Sequence, residues 1–410
     1  MTKIVQLQVT TESAGRAALR LQKAFVDAGI DSSTLSMQST IANDEQNRHL
    51  GRKASRIAVW DFKLQSIIRK NVNPKYGLYS YPILGSDVSH LPQIKNADII
   101  ILHWVLHGFL NIKNIEQILK LGKPVIFFMH DMWTITGGCH YSFECNKYET
   151  KCCDCPMFTT HKIKDWVLSE FEKKVKLFSS YNNIYFVSPS KWLYDCSKQS
   201  MLIKDKPIFH IPNVLDSTIF KPFDKKVAKQ ILNLDPEEKV ISFGAVAVDS
   251  PYKGWEYLKT SLELLKTDYT ENELTVLIFG SAYNKNIANS IPFNTRFMGV
   301  LKDEYSIALV YNASDAFIAP SLADNLPYTI FEAQSCGTPV VAFNIGGIPD
   351  MVQHKVNGYL ARYKDAQDIA EGIKFVLNNK IEGHLSPSFD TSNTIKKHLE
   401  LFDQINSGTR

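Results

Sequence analysis

The stretch from Asp315 to Phe343, "DAFIAPSLADNLPYTIFEAQSCGTPVVAF", holds a complete strand–helix–strand unit. Both ends, "DAFIAP" and "TPVVAF", are short and apolar without alternation. Strands of that kind are covered on both faces, as in a parallel sheet. Between them Pro327 sits near the first position of a helix that runs through Ile330, Phe331 and Ala333 to about Cys336. Gly337 is its expected stop and Pro339 follows. Parallel strands joined by a helix are the building unit of α/β folds. The start of this helix presents N–H groups and the positive end of its dipole around Asn325 to Tyr328, which suits phosphate. Asp324 before it and Glu332 within it suit hydroxyls instead, because carboxylates accept from O–H donors.

The same rhythm extends outward in both directions. "KIVQLQV", "ADIIILHW", "PVIFFMH" and "NIYFVS" are strand candidates in the first half. "KVISFGAV", "LTVLIFG" and "TRFMG" join the two above in the second. Helical stretches such as "GRAALRLQKAFVDAG" and "GWEYLKTSLELLK" alternate with them. "PIFHIPNVLDSTIFKPFDKK", rich in Pro, Asn and Asp, separates the two sets, and Asn213 and Asp216 fit a turn there. The expectation is α/β, with two Rossmann-like, doubly wound domains facing a central cleft, ligands binding beyond the carboxyl ends of the strands. The expected spans are 1–205, 206–385 and a C-terminal helix and tail over 386–410, with Thr391 or Ser392 as the helix cap.

At 410 residues the chain is long enough for two or three domains with their own cores, and 44% apolar with 21% charged residues is ordinary for a globular protein. A net charge of +4 is too small over this length for a nucleic-acid protein. No secretory leader is visible at "MTKIVQLQV", and the longest apolar run, "ADIIILHWVLHGFL", is interrupted by His103 and His107. A membrane span needs about 20 residues. The expected location is therefore cytoplasmic. The segment Asn47 to Lys70 concentrates Arg48, Arg52, Lys53, Arg56, Lys63, Arg69 and Lys70 against one acid, Asp61. It reads either as a solvated helix face or as a surface meeting anionic lipid at the inner face of a membrane. Its apolar residues, Ile57 through Ile68, fit either a core or an interface.

The Asp324…Glu332 pair, "GTPVV" from Gly337 and "GGIPD" from Gly346 resemble the acidic-pair region of family-four retaining glycosyltransferases of the GT-B fold. "LHWVLHGFLNI", "HDMWTITGGCHYSFECNKYETKCCDCP", "PSKWLYD" and "IPNVLDSTIFKP" are similar to the branch that makes bacterial exopolysaccharides such as colanic acid. The resemblance spans about residues 1 to 375. It implies a transfer of hexose from a nucleoside diphosphate sugar to a saccharide acceptor, lipid-linked in that branch, with no cofactor for catalysis. Lys253 in "SPYKGWEYL" matches the lysine that neutralises the diphosphate; by itself it reads as an exposed turn residue. Glu332 matches the acid on the ribose, and Asp324, where Glu is usual, the acid near the transferred sugar. Asn325, Leu326 and Pro327 match the residues whose backbone donors meet the phosphates. Gly15, in an Ala14-Gly15 pair where the family has two glycines, matches the loop that approaches the donor, and His130 the histidine near the donor sugar. Asp131 beside it would orient that histidine or bind acceptor. An arginine common in the family is replaced by Ala245.

Cys139, Cys145, Cys152 and Cys155 lie close together beside His140. They read as a structural zinc site, as reduced core thiols or as a redox pair; Cys153, Cys196 and Cys336 read as packed thiols. Two other functions fit the same plan. A nucleotide-sugar epimerase would convert donor without acceptor, and a non-catalytic scaffold would bind sugar nucleotide and turn nothing over.

Overall fold

The computed structural model describes residues 2–12, 15–73, 76–244 and 251–408; Ala14 and Ala245 lie outside them. The chain divides into two units, Met1–Val214 with Asp390–Arg410, and Leu215–Phe389.

The first unit is built on seven strands: β1 (Lys3–Thr10), β2 (Asp31–Gln38), β3 (Asn47–His49), β4 (Ile99–Leu102), β5 (Val125–Phe128), β6 (Ile184–Ser188) and β7 (Ile208–His210). Between them run α1 (Arg16–Asp27), α2 (Arg52–Arg69), α3 (Pro92–Asn96), α4 (Ile112–Leu119), α5 (His161–Ser180) and α6 (Lys191–Gln199). The sheet order is β3-β2-β1-β4-β5-β6-β7, parallel throughout. Alternate residues point to opposite faces of a strand. Ile100, Leu102, Val125 and Phe127 accordingly fill one core, and Ile99, Ile101, Ile126 and Phe128 the other.

The second unit opens with α7 (Lys225–Ile231). It then alternates β8 (Lys239–Gly244), α8 (Trp255–Leu265), β9 (Leu274–Phe279), α9 (Lys285–Ala288), β10 (Asn294–Gly299) and α10 (Glu304–Ala313). The opening stretch of sequence follows as β11 (Ala316–Ala319), α11 (Tyr328–Ser335) and β12 (Val340–Phe343), then β13 (Gly358–Ala361) and α12 (Ala366–Asn379). The order is β10-β9-β8-β11-β12-β13, again parallel. Ile241, Ile278, Ile318 and Val341 face α8 and α12, while Val240, Leu277, Phe317 and Val340 face α10 and α11. The last helix, α13 (Thr391–Gly408), packs Ile395, Leu401, Phe402 and Ile405 beside Phe25 and Phe128 of the first unit. It begins at Thr391, so Thr391 and Ser392 are helical residues and not caps.

Both expected doubly wound sheets are present. In each, the strand order reverses beside the first strand, between β1 and β4 and between β8 and β11. Ligands of open α/β sheets bind outside the carboxyl ends of the strands at such a reversal. β2 escaped the sequence reading because "DSSTLSMQ" looks like a loop. Its Ser32, Thr34 and Ser36 are nevertheless buried. Gln6 donates to Ser32 at 3.1 Å and Thr34 donates to Gln22 at 2.7 Å, which satisfies them inside. Asn47 to His49, read with the basic helix, form the edge strand β3.

Candidate functional site

In the second unit the reversal point carries charge. β8 ends at Gly244, and a short 3-10 turn over Pro251–Lys253 leads into α8. Gly254 caps that helix at φ +72°, and a Cβ there would stand 1.8 Å from the Pro320 carbonyl oxygen. The glycine lets this turn close on the loop that leaves β11. The Leu322 N–H donates to the Tyr252 carbonyl at 2.7 Å and locks the two together. Lys253 Nζ thereby reaches Asp324 Oδ2 at 3.0 Å. Burial disfavours the Lys253 ammonium, but the charge and hydrogen bond of Asp324 outweigh it and hold the group above its ordinary range. Gly346, at φ +54°, makes a second close approach: a Cβ there would stand 1.9 Å from the Asp324 carbonyl oxygen.

α11 starts directly after this pair. Pro327 is its N-cap, and the first helical residue is Tyr328. Proline has no N–H, so the expected donation from Pro327 is corrected: it contributes its carbonyl, which accepts from Ile330 and Phe331. The Asn325 N–H is engaged by Asp324 Oδ1 at 3.1 Å. The positive end of the α11 dipole lies here, at Tyr328. Asn325 and Leu326 are buried. Gly337 stops the helix as expected, at φ +82°. Glu332 is 7% exposed and its Oε2 accepts from the Tyr311 hydroxyl at 3.2 Å. Lys253, Asp324 and the start of α11 are brought together, while Glu332 lies further along the helix.

In the first unit the reversal point is neutral. Gly15 is the N-cap of α1, and a Cβ there would stand 1.7 Å from the Thr10 carbonyl oxygen. His130 follows β5. Its Nε2 lies 2.9 Å from Nδ1 of His103, which follows β4, and His103 Nε2 lies 2.8 Å from Gln6 Oε1 of β1. Gln6 spends its amide donor on Ser32. Its oxygen therefore accepts from His103, and His103 in turn accepts from His130 Nε2–H. Burial drives His130 down to about 4, although Asp131 pulls the other way. Burial, then His130 and His398, hold His103 well below its usual range. Sequence reasoning took His103 only as an interruption of an apolar run. A histidine at the end of a strand that reads "IIIL" was the available signal.

Asp131 turns toward His140 rather than His130. His140 Nδ1 lies 2.6 Å from Asp131 Oδ2, and His140 Nε2 lies 2.8 Å from the Ser80 hydroxyl. Burial raises the Asp131 carboxyl, but His140 and the Trp133 N–H outweigh it and keep the group below its usual range. Among the described residues no group of three or more His, Cys, Asp or Glu is placed to hold a metal ion. His140 is bound to other partners. Burial pushes the Cys139 thiol up, Cys152 to about 12 and Cys155 to about 11. The loop after β5 is held instead by Lys174, which is fully buried. It donates to the carbonyls of Trp133 at 2.6 Å and Thr136 at 3.1 Å and stands 3.5 Å over the Trp133 ring.

Residues 237–379 match the family model for glycosyl transferases group 1. Among curated proteins, a D-inositol 3-phosphate glycosyltransferase of Segniliparus rotundus is 31% identical over 160 residues, which is 37% of this chain and 34% of that protein. An uncharacterized glycosyltransferase of Haemophilus influenzae is 28% identical over 131 residues, 31% of this chain and 37% of that protein. The chain thus spans about a third of the length of these relatives. Among solved structures, sucrose-phosphate synthase from Thermosynechococcus elongatus superposes with a TM-score of 0.67 at 14% identity, covering 100% of both chains. The Anabaena protein HepE, solved with UDP and glucose, gives 0.59 at 17% identity, covering 98% of this chain and 100% of that one. Two parallel-sheet, Rossmann-like units are the plan of GT-B glycosyltransferases, and within the second unit of this chain residues 237–379 match the glycosyl transferases group 1 model.

Proposed function

We propose that this protein is a retaining glycosyltransferase that moves a hexose from a nucleoside diphosphate sugar to a hydroxyl of a lipid-linked saccharide, in exopolysaccharide synthesis. The observation that carries the reading is the Lys253–Asp324 pair at 3.0 Å beside the start of α11, within the matched family region. A developing diphosphate needs cationic and N–H stabilisation where its charge appears. Lys253 and the positive end of the α11 dipole supply that, and Asn325, Leu326 and Pro327 shape the approach. Glu332 takes the ribose hydroxyls. Asp324 takes a hydroxyl of the transferred sugar while holding Lys253. In the first unit Gly15 admits backbone close to the phosphate, and His130 meets the transferred sugar as a neutral group. In the reaction the bond from the anomeric carbon to the diphosphate oxygen breaks and the acceptor oxygen bonds to that carbon from the same face. The acceptor proton passes to the departing phosphate oxygen. HepE, solved with UDP and glucose, supports a donor of this class. The lipid-linked acceptor and the exopolysaccharide branch rest on the motifs of the first half.

A panel of nucleoside diphosphate sugars, screened by thermal shift and then by product mass with saccharide and lipid-linked acceptors, tests the reading. A matching donor at 100 times its Kd stabilises the native state by about 2.7 kcal/mol. Conversion of donor with no acceptor present would replace this reading with an epimerase, and binding without any turnover would leave a scaffold.

A further inference from the structure

Helix α2 is folded inside out. Its one acid, Asp61, is 0% exposed and Gln65 is 1% exposed. Asp61 accepts from the N–H groups of Ile83 at 3.1 Å and Leu84 at 2.8 Å, and from the Gln65 amide. Ala54 and Ile68 share this inward face. Val59, Trp60, Phe62 and Ile67 point away from it and are 54%, 60%, 54% and 59% exposed. At about 100° per residue these four lie within an arc of about 160°, opposite Asp61 and Gln65. Arg52, Arg56 and Lys63 fall in the same arc, all exposed, and Lys63 stands 4.8 Å over the Trp60 ring. No acid of the helix shares it.

A face that only met water would not expose four large apolar side chains together. A face covered by an apolar partner would not interleave them with three uncompensated cations. Both features suit the boundary of an anionic bilayer. Phe, Ile and Val enter the acyl edge, Trp sits at headgroup depth, and the cations meet lipid phosphate. We propose that α2 is a membrane-docking helix that lies in the plane of an anionic bilayer. Val59, Trp60, Phe62 and Ile67 are immersed, and Arg52, Arg56 and Lys63 are on the headgroups. This deepens the reading of a lipid-linked acceptor, but its test uses vesicles with neither donor nor acceptor, so the two stand or fall separately.

The test is co-sedimentation of the full chain with phosphatidylcholine vesicles carrying rising fractions of phosphatidylglycerol. Partitioning is expected to rise with the anionic fraction and to fall with salt. A variant with Arg52→Ser, Arg56→Ser and Lys63→Ser should lose about a hundredfold in partition coefficient, from ~1 kcal/mol per cation. A variant with Trp60→Ser, Phe62→Ser and Ile67→Ser should lose binding at every lipid composition. Neither should lower the melting temperature, because the replaced side chains are exposed. Trp60→Phe should abolish a vesicle-induced blue shift of tryptophan emission. Equal recovery in the supernatant with neutral and anionic vesicles at low salt overturns the proposal. So does a dimer in solution that the apolar variant breaks while vesicle binding is absent; that result makes the face a contact between copies of the chain.

Discussion

At the carboxyl end of β11 a cation and a carboxylate meet, Lys253 and Asp324 at 3.0 Å, whereas beyond β4 and β5 two neutral imidazoles meet, His103 and His130 at 2.9 Å. The sheets share one topology, so the difference lies in what their strand ends present. The ion pair is partly open, with side chains 32% and 13% exposed. Its charges exist before any ligand arrives, and an incoming polyanion only has to compete for Lys253. The imidazole pair is held neutral by burial and fixed in direction by Gln6. One fold thus presents a charged strand end in one unit and a neutral one in the other.

The largest effect expected from that contrast concerns Lys253. Lys253→Ala should lower transfer by roughly 10²–10³, the usual cost of removing one preorganised donor to a developing anion. His130→Ala should cost about fivefold, the worth of a neutral hydrogen bond near 1 kcal/mol. Steady-state kcat/KM for both variants, with the fold checked by circular dichroism, measures the ratio. Equal losses would break the comparison, because the neutral site would then be carrying as much charge stabilisation as the cationic one.

Much of this was legible in the sequence, and the exceptions share a cause. Uniformly apolar strands such as β4 and β12 announce a sheet covered on both faces. Lys253 and Asp324 were each legible as motif residues. Their pairing was not, because they are 71 positions apart and meet only through the adjacency of β8 and β11. The polar residues of β2 and the buried Asp61 of α2 were misleading for a related reason. Their partners are Gln6, Gln22 and the backbone at Ile83 and Leu84, which no local pattern reveals. The cysteine cluster was legible as a cluster, but the burial of Cys152 and Cys155 and the His140 contacts were not.

A smaller effect sharpens the geometry of the charged site. Gly346→Ala places a methyl 1.9 Å from the Asp324 carbonyl, at φ +54°. It should cost about 2–3 kcal/mol and displace Asp324 from Lys253. Gly337 is the control: φ is +82° there, but the nearest atom to a Cβ is Pro222 Cγ at 3.6 Å. Gly337→Ala should therefore cost only the backbone term, about 1 kcal/mol, and leave turnover intact. Urea midpoints and kcat/KM for the two variants separate crowding from strain. If both lose activity equally, the close approach at Asp324 is not what positions the pair.

The smallest expected effect tests the neutral side through pH. His398 of α13 is 0% exposed, neither ring nitrogen has a hydrogen-bond partner, and the ring meets Phe25 edge-on at 5.2 Å. Burial drives it down to about 3, and His130 to about 4. These groups are neutral when folded but take up protons near pH 6.5 when unfolded. Below that value the unfolded state binds more protons, so stability falls as pH drops from about 6.5 toward 4. Lys253 works in the opposite direction. Its folded value is raised, so its contribution is present below about 10.4 and lost as pH rises through the folded value. The buried histidines of the first unit and Lys253 of the second thus act at opposite ends of the pH range. His398→Leu removes one acid-sensitive group together with its orphaned nitrogens. It should leave stability at pH 7 within about 1 kcal/mol of the parent or above it, and flatten the slope between pH 6.5 and 4. Urea titrations across pH, followed by tryptophan emission, read that slope. An unchanged acid slope in His398→Leu would mean that this histidine finds water or a partner in the folded state, and the neutral character of the first unit would then rest on His103 and His130 alone.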